Sequence, residues 1–460
     1  PLISRQSHLD GFALSGLSPI DMLECQKKRR NSRIRARMAK VQLEGNQTNG
    51  YRLTVDGAPF YVKGAGLEFG HLESLAKAGG NTFRTWRVDN GERDVIDILD
   101  EAETLGLKVC MGLDIARERH GFDYSDQDAV NTQNDQMMED VIRLKDHPAL
   151  LMWGLGNELN LRAKNPRVWD AIEDLAQRIK DVDPNHPVTT MLAGIDAPTI
   201  SAIAERAPSL DFLSFQIYGE IDHLPDILRK AGYAGPYQLT EWGPTGHWES
   251  PETDWGRPFE PSSTQKAHDI ARRYKEIILA DKHCCLGAYI FLWGQKQERT
   301  PTWYGMFLES GERTEAVDVM EKAWTGHGPQ AAAPQIKSLS LNHKEAPTSV
   351  KASSNERLSA EVGVLGANDV LISWTVREEV PTELQSDGGD FEPTPPVIES
   401  LVGTHSKTFE FQISQPGEYR LFCQVDTPHH SSAVTNIPFL IKSKTRTLAR
   451  LFNLFGKKSA

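Results

Sequence analysis

Short runs rich in β-branched and aromatic residues alternate with amphipathic stretches between about residue 60 and residue 325. The strand-like runs cover residues 60–67, 82–86, 108–113, 150–156, 187–192, 212–217, 237–240 and 288–293. The helical stretches between them include residues 95–105, 131–145, 167–182 and 264–279. Eight strands alternating with helices predict an α/β fold, specifically a (β/α)8 TIM barrel. A doubly wound open sheet is the competing prediction. It usually has fewer strands, and Gly64-Ala-Gly66 lacks the third glycine of its dinucleotide-binding turn.

The chain changes character at residues 326–334, a small Pro/Gly/Ala-rich segment. Beyond it, alternating strands at 370–376, 408–413 and 419–425 predict an all-β, Ig-like sandwich, with Trp374 in its core and Tyr419 where a corner tyrosine would lie. A hairpin is predicted at residues 51–63, around Asp56-Gly57. The predicted organisation is an N-terminal arm with a basic run (1–45), the barrel (46–326), a linker (327–334), the sandwich (335–442) and a basic tail (443–460).

The net charge of −12 is unevenly spread over the 460 residues. Residues 27–40 hold eight Lys/Arg and residues 442–460 hold six, with no acid in either segment. The remainder has 37 basic and 63 acidic residues, which argues against nucleic-acid binding by the folded part. The basic ends are interpreted as solvated tails, or, at 448–455, as a short amphipathic helix that contacts a membrane surface or a partner. No apolar run approaches the roughly 20 residues that span a bilayer, which argues against an integral membrane protein.

Polar residues at the strand ends identify the candidate site, because barrel active sites lie where strands end and βα loops begin. Glu158 ends the fourth predicted strand and Glu241 the seventh. The predicted substrate-binding residues around them are Arg84, Trp86, Asp114, Asn157, Gln216, Tyr218, Trp242 and Trp293. Further candidates on loops after strands are Glu68, His71, Arg117, Glu118, Trp248, Trp255, Gln295 and Trp303.

Two glutamates that face each other are what cleavage of a glycosidic bond requires. One carboxyl must carry a proton for the leaving oxygen, and the other must be ionised to attack the anomeric carbon or to activate water. Aromatic side chains suit the apolar faces of sugar rings. The predicted partner is therefore an oligo- or polysaccharide substrate, and no metal ion or organic cofactor is expected.

Four segments resemble glycoside hydrolase family 2 and its relatives in clan A. The segment 147–158, ending in Asn157-Glu158, is similar to the family's acid/base segment, and Leu239-Thr-Glu241-Trp-Gly243 is similar to its nucleophile segment. Residues 79–86 resemble the segment that carries the clan's active-site arginine, here Arg84, and residues 60–64 resemble the start of the family 2 barrel.

The resemblance implies a retaining enzyme in which Glu158 is the general acid/base and Glu241 the nucleophile. Asn157 would bind the hydroxyl next to the anomeric carbon, Tyr218 would hold the nucleophile, and Arg84 would keep Glu241 ionised. Retention implies carboxyl groups about 5–5.5 Å apart.

The sequence departs from the family pattern in two places. The barrel begins near residue 50 instead of following a jelly roll and an immunoglobulin-like domain, and Trp86-Arg87-Val88-Asp89 replaces the His that commonly follows the arginine. The sugar specificity of any one family member is therefore not assigned to this chain. The alternatives are transglycosylation by the same two glutamates, a non-catalytic carbohydrate-binding barrel, and a metal-dependent barrel hydrolase or isomerase. The C-terminal domain resembles a module of bacterial envelope and secreted glycosidases, which implies a secreted or periplasmic location, although no signal peptide is recognisable in the chain.

Overall fold

The computed structural model describes residues 39–67, 70–89, 91, 93–366, 369–386 and 389–443. The basic run up to residue 38, the C-terminal tail from residue 444 and the candidate Glu68 lie outside the described residues. No helix in the described part is long and apolar enough to cross a membrane.

Eight parallel strands form a closed barrel in which each strand pairs with the next along the chain and the last pairs with the first. They are β4 (Val62–Gly66), β5 (Thr82–Arg84), β6 (Lys108–Leu113), β7 (Leu150–Asn157), β8 (Val188–Ala193), β9 (Phe212–Gln216), β10 (Tyr237–Trp242) and β11 (Cys285–Ile290). The prediction of a TIM barrel is confirmed, because the closed order and the parallel pairing exclude the open sheet.

Eight α-helices lie in the described residues and cover the outside of the barrel or follow its last strand. They are α1 (Leu72–Lys77), α2 (Val95–Thr104), α3 (Gln127–Leu144), α4 (Arg167–Val182), α5 (Ala197–Arg206), α6 (Leu224–Ala231), α7 (Ser263–Arg273) and α8 (Glu315–Thr325). In α4 the buried residues Val168, Ile172, Leu175 and Ile179 recur at helical spacing and pack in the barrel core.

The helix predicted at residues 264–279 is shorter in the structure. It begins at a capping box, in which the Ser262 side chain accepts from the Gln265 backbone N–H and the Gln265 side chain accepts from the Ser262 backbone N–H. After Arg273 the chain continues as a π-helical turn over Tyr274–Ile278. Hydrophobic spacing does not distinguish these two helix types over so few residues, so the pattern predicted one continuous helix.

A three-stranded antiparallel sheet covers the N-terminal end of the barrel. It consists of β1 (Val41–Asn46), β2 (Gly50–Val55) and β3 (Ala58–Phe60). Backbone hydrogen bonds join Val41 to Asn185 before β8 and Tyr51 to His283 before β11. The sheet closes this end, so the opposite end of the barrel is left for a site. The strand β1 begins within the segment predicted as an arm, because its apolar alternation is limited to Val41 and Leu43 and stops at Gly45-Asn46.

The C-terminal domain packs two sheets around one apolar core. One sheet has the order β13-β12-β15-β18 and the other β14-β20-β19-β16-β17. The strands are β12 (Gln335–Leu341), β13 (Lys344–Glu345), β14 (Val350–Ser353), β15 (Arg357–Leu365), β16 (Leu371–Glu378), β17 (Val397–Thr404), β18 (Thr408–Gln412), β19 (Gly417–Asp426) and β20 (Ser432–Lys442). Trp374 is buried between the sheets on Phe409, and the Tyr419 hydroxyl donates to the Gln415 carbonyl, as in a tyrosine corner. The predicted β-sandwich after the barrel is confirmed.

Buried polar contacts join the β-sandwich to the barrel. Glu260, between β10 and α7, pairs with Lys266 and accepts from the Asn436 amide of β20 at 2.6 Å. Arg420 of β19 donates to the Pro258 carbonyl at 2.9 Å. Because these groups are removed from water, each depends on its partner across the boundary.

Candidate active site

A cavity of about 1080 Å³ opens at the C-terminal end of the barrel. Glu158 and Glu241 both line it, although Glu158 follows β7 and Glu241 lies in β10, three positions away in the barrel. Parallel strands all end at the same mouth, and this brings the two carboxyl groups into one cavity.

The Glu241 carboxylate is buried and is held by four donors. Its Oε1 atom accepts from Arg84 Nη1 at 2.8 Å, from Trp86 Nε1 at 2.8 Å and from Gln216 Nε2 at 3.0 Å. Its Oε2 atom accepts from the Tyr218 hydroxyl at 2.9 Å. Three donors on one oxygen fix the carboxylate in position, and the less crowded Oε2 is the oxygen with more capacity to react.

Arg84 connects the two glutamate-bearing strands. Besides its bond to Glu241, its Nη1 donates to the Thr240 carbonyl at 3.2 Å, and its Nη2 donates to Asn157 Oδ1. Gln216 Nε2 donates to the same Asn157 oxygen at 2.7 Å. With its oxygen occupied by two donors, the Asn157 amide is oriented so that its NH2 group can donate to a ligand.

Glu158 lies in a strained turn directly after β7. Its φ is 53°, in the left-handed region that non-glycine residues rarely adopt. The preceding Gly156 has a φ of 70°, and a Cβ atom there would lie 2.6 Å from Leu159 Cδ1. Only glycine fits this position, and the resulting turn places Glu158 at the cavity.

The Glu158 side chain differs in its surroundings from that of Glu241. Its Oε2 atom is buried and has no hydrogen-bond partner among the described residues. The pKa of Glu158 is raised to about 7, mainly by burial and next by the nearby charge of Glu241, against the opposing effect of Arg119 and Arg84. The Glu158 carboxyl group is therefore partly protonated at neutral pH, whereas the Glu241 carboxylate accepts four hydrogen bonds.

Aromatic side chains form much of the cavity wall. Among the predicted residues, Trp86, Tyr218 and Trp293 line it, together with Trp248, which is exposed. Trp293 is held by a hydrogen bond of 2.9 Å from its Nε1 to Ser74 and by stacking on Trp324.

Asp114 lies at the exposed rim of the cavity. It lines the opening and pairs with Arg117 at 3.5 Å. Arg117 also donates to the Asn157 carbonyl, at 3.0 Å, so it supports the segment before Glu158 from outside.

Trp242 does not lie where the sequence predicted. It is fully buried, stacks on Tyr274 and does not line the cavity. Successive side chains of a strand point to opposite faces, so Trp242 faces the helical layer because Glu241 faces the mouth. Its prediction as a substrate-binding residue is corrected to a role in core packing. Trp303 is likewise buried, with its Nε1 donating to the Thr245 carbonyl.

The other loop candidates divide between the cavity and its surroundings. His71, Arg117 and Gln295 line the cavity. Glu118 does not, and its carboxylate instead accepts from the backbone N–H groups of residues 164 and 165.

Several cavity residues carry no recognisable sequence pattern. Glu298 follows β11 in an irregular loop, is buried, and pairs with Lys296 at 2.8 Å and with His247 at 3.4 Å. Glu249 accepts from the backbone N–H groups of residues 219, 220 and 246, which fixes the loop after β9. Tyr304 also lines the wall. No alternation or motif surrounds these residues, so only the folded chain reveals them.

One group of possible metal ligands occurs within the described residues, formed by Asp100, Glu103 and His147. These residues lie on α2 and before β7 and do not line the cavity.

Residues 90–242 match the model of the TIM barrel domain of the family 2 glycosyl hydrolases. The matched stretch is a third of the chain and contains both glutamates. The match confirms the resemblance indicated by the motifs.

Solved structures with a similar fold include three glycosidases. Bacteroides uniformis beta-glucuronidase 2, covalently bound to cyclophellitol-6-carboxylate aziridine, shares 14% identity over 88% of this chain and 48% of its own, with a TM-score of 0.47. Bifidobacterium dentium beta-glucuronidase, complexed with coumarin-3-O-glucuronide, shares 17% identity over 63% of this chain and 49% of its own, with a TM-score of 0.47. A putative beta-galactosidase from Bacteroides fragilis shares 12% identity over 88% of this chain and 58% of its own, with a TM-score of 0.46. The chain spans about half the length of these proteins, and similarity at this level says nothing about substrate.

Proposed function

We propose that this chain, whose barrel matches that of the family 2 glycosyl hydrolases, is a retaining glycoside hydrolase acting on β-linked glycosides or glucans. The observation that carries the proposal is the contrast between the two carboxyl groups of the cavity. Glu241 is held by four donors, whereas Glu158 has an unpartnered buried oxygen and a pKa raised to about 7. This is the division into nucleophile and proton donor that retaining cleavage requires.

In the first half of the cycle, Glu241 Oε2 attacks the anomeric carbon. The bond from that carbon to the leaving oxygen breaks, its electron pair stays on the oxygen, and Glu158 supplies the proton. The product is a glycosyl ester of Glu241 and a free alcohol or sugar.

In the second half, Glu158 acts as a base. Esterification removes the charge of Glu241, and with it one of the causes that raise the pKa of Glu158. Glu158 then takes a proton from water as the water oxygen attacks the anomeric carbon, and the ester electron pair returns to Glu241. Two displacements at one carbon retain its configuration.

Transglycosylation follows the same path, with a sugar hydroxyl in place of water. Among the aromatic residues of the cavity wall, the accessible rings of Trp86 and Trp248 support binding of sugar rings. The proposal extends to a secreted or periplasmic location, which rests on the character of the C-terminal domain alone.

The decisive experiment is a screen of β-linked aryl glycosides and oligosaccharides in which NMR identifies the first anomer released. We expect the β-anomer first, and labelling of Glu241 by a 2-deoxy-2-fluoro glycosyl fluoride of the same sugar. Release of the α-anomer first would contradict retention. Binding of a glycan without turnover or labelling would identify a non-catalytic carbohydrate-binding barrel, and loss of activity with a chelator would favour a metal-dependent enzyme.

A further inference from the structure

A segment of the β-sandwich reaches over the mouth of the barrel. Gly389, Asp390 and Phe391, which lie between β16 and β17, line the same cavity as the two glutamates. We refer to Gly389–Phe391, with its anchor Glu392, as the strap.

Glu392 fixes one end of the strap to the loop after β11. Its side chain is buried and accepts from the Arg299 backbone N–H at 2.6 Å and from Arg299 Nη1 at 2.7 Å. It also accepts from Gln297 Nε2 at 3.2 Å and from the Ser386 backbone N–H at 3.1 Å. A buried carboxylate with four donors is a rigid attachment point.

Asp390 contacts the other side of the mouth. Its Oδ2 atom lies 2.9 Å from Nε2 of His120, in the loop after β6. In that loop, Arg119 donates to the backbone carbonyl of Glu158 at 2.9 Å. The strap therefore runs from the β11 side of the mouth to the side that supports Glu158, three strand positions away around the barrel.

Phe391 is the most exposed large hydrophobic side chain of the described residues, at 88%. Packing does not account for such a residue, because it contributes little to any core. An exposed aromatic ring at a cavity, held between two residues that contact the barrel loops, Asp390 and Glu392, is typical of a binding surface.

We propose that the Phe391 ring forms the subsite for the sugar on the leaving-group side of the cleaved bond, which is also the acceptor side in transfer. The general acid must face the leaving oxygen, so the wall beside Glu158 faces the leaving group. The strap contacts that wall through His120. The ligand is the apolar face of a pyranose ring in a β-linked oligosaccharide. This inference rests on the proposed function and deepens it, since it makes the β-sandwich part of the active site.

The transfer step provides a direct measure of this subsite. An acceptor sugar hydroxyl attacks the anomeric carbon of the Glu241 ester and gives its proton to Glu158. The new carbon–oxygen bond forms as the ester bond breaks, and the electron pair of that bond returns to the Glu241 carboxylate. An acceptor that is bound by Phe391 accelerates this step at low acceptor concentration, whereas hydrolysis of the ester by water does not depend on the Phe391 ring.

The experiment traps the ester on the full chain with a panel of 2-deoxy-2-fluoro-β-glycosyl fluorides and removes excess reagent. Return of activity is then followed in water and with increasing concentrations of β-linked disaccharides such as cellobiose and gentiobiose. Each variant's rate is divided by its own rate in water. We expect saturable acceleration in the unchanged protein. In Phe391→Ala the half-saturating acceptor concentration should rise about 3- to 10-fold, and Phe391→Trp should restore it.

Val402→Ala is the matched control, because Val402 is also highly exposed on the β-sandwich but does not line the cavity. It should leave the half-saturating concentration unchanged. Equal saturation in Phe391→Ala and the unchanged protein would overturn the inference, as would a trapped protein that no disaccharide reactivates faster than water. If none of the fluorides forms an ester at Glu241, the proposed function itself fails, so the two failures are distinguishable.

Discussion

Arg84 and Glu241 lie 157 positions apart in the chain, and Nη1 of the first is 2.8 Å from Oε1 of the second, with both side chains buried. Neither β5 nor β10 determines this contact alone. It exists because the barrel closes and brings both strand ends to one mouth. Arg84 also donates to Asn157, so a single guanidinium positions the proposed nucleophile and the residue before the proposed acid.

Replacement of Glu241 by Gln should lower kcat by roughly 10⁴-fold or more, because an amide cannot form the glycosyl ester. The measurement is kcat on the best aryl glycoside. Glu205→Gln, an exposed site on α5, is the matched control and should retain the full rate. Residual activity near that of the unchanged protein in Glu241→Gln would refute its role as the nucleophile.

Replacement of Glu158 by Gln should slow substrates according to their leaving groups. Oligosaccharides, whose leaving oxygen needs a proton, should lose about 10²- to 10⁴-fold in kcat/KM, and aryl glycosides with acidic phenols much less. In Glu158→Ala, azide should restore turnover as a glycosyl azide of retained configuration. An equal loss for both classes of substrate is the result that this assignment does not allow.

The pH dependence of kcat/KM should show an alkaline limb near pH 7. The raised pKa keeps Glu158 protonated below about pH 7, and activity falls by up to tenfold per pH unit above it. Arg119 lowers this pKa, so Arg119→Gln should move the limb to higher pH. A limb that stays at the same pH in this variant would show that Glu158 does not determine it.

Replacement of Trp86 by Phe removes the Nε1 donor from Glu241 while it keeps an aromatic ring in the wall. A hydrogen bond to a charged group contributes about 1.5–3 kcal/mol, which corresponds to about 10- to 150-fold in kcat/KM. Circular dichroism checks that the fold is retained. No loss of activity would mean that the three other donors position Glu241 sufficiently.

Replacement of Lys266 by Met should destabilise the protein by about 3–5 kcal/mol, because it leaves Glu260 buried without its cation. Urea unfolding of the variant measures this loss. The double variant Glu260→Gln/Lys266→Met also removes the unpaired buried charge of Glu260, so it should recover part of the lost free energy of unfolding. A single variant as stable as the unchanged chain would argue that water reaches Glu260.

The positions of Glu158 and Glu241 could be predicted because each ends a strand, and parallel strands of a barrel all end at one mouth. The direction in which the Trp242 side chain points could not be predicted. Tyr237–Thr240 alternate apolar and polar residues, but the alternation breaks at Thr240 and Glu241, two polar residues in succession. The pairing of β10 with β9 is shifted at this point, between Leu239 and Glu241, so the pattern before the shift does not indicate which way Trp242 points.

The strap could not be predicted for a different reason. Asp390 and His120 are 270 positions apart, the first in the loop between β16 and β17 and the second in a short 3-10 turn after β6. Sequence patterns predict local structure from residues that are close in the chain, and no pattern around Asp390 or His120 indicates that the two side chains meet. The sequence suggested a separate module after a linker, whereas the contacts place part of that module at the cavity.

The polar contacts around Glu260 and Arg420 bear on how this protein would respond to a protease. The largely exposed segment 327–332 is a target for cleavage, yet a cut there would leave Asn436 bound to Glu260 and Arg420 bound to the Pro258 carbonyl. The two fragments should stay together through gel filtration and separate only in denaturant. We therefore expect the covalent connection between the barrel and the β-sandwich to be dispensable once both have folded, and we expect another module in place of the β-sandwich to lose these contacts.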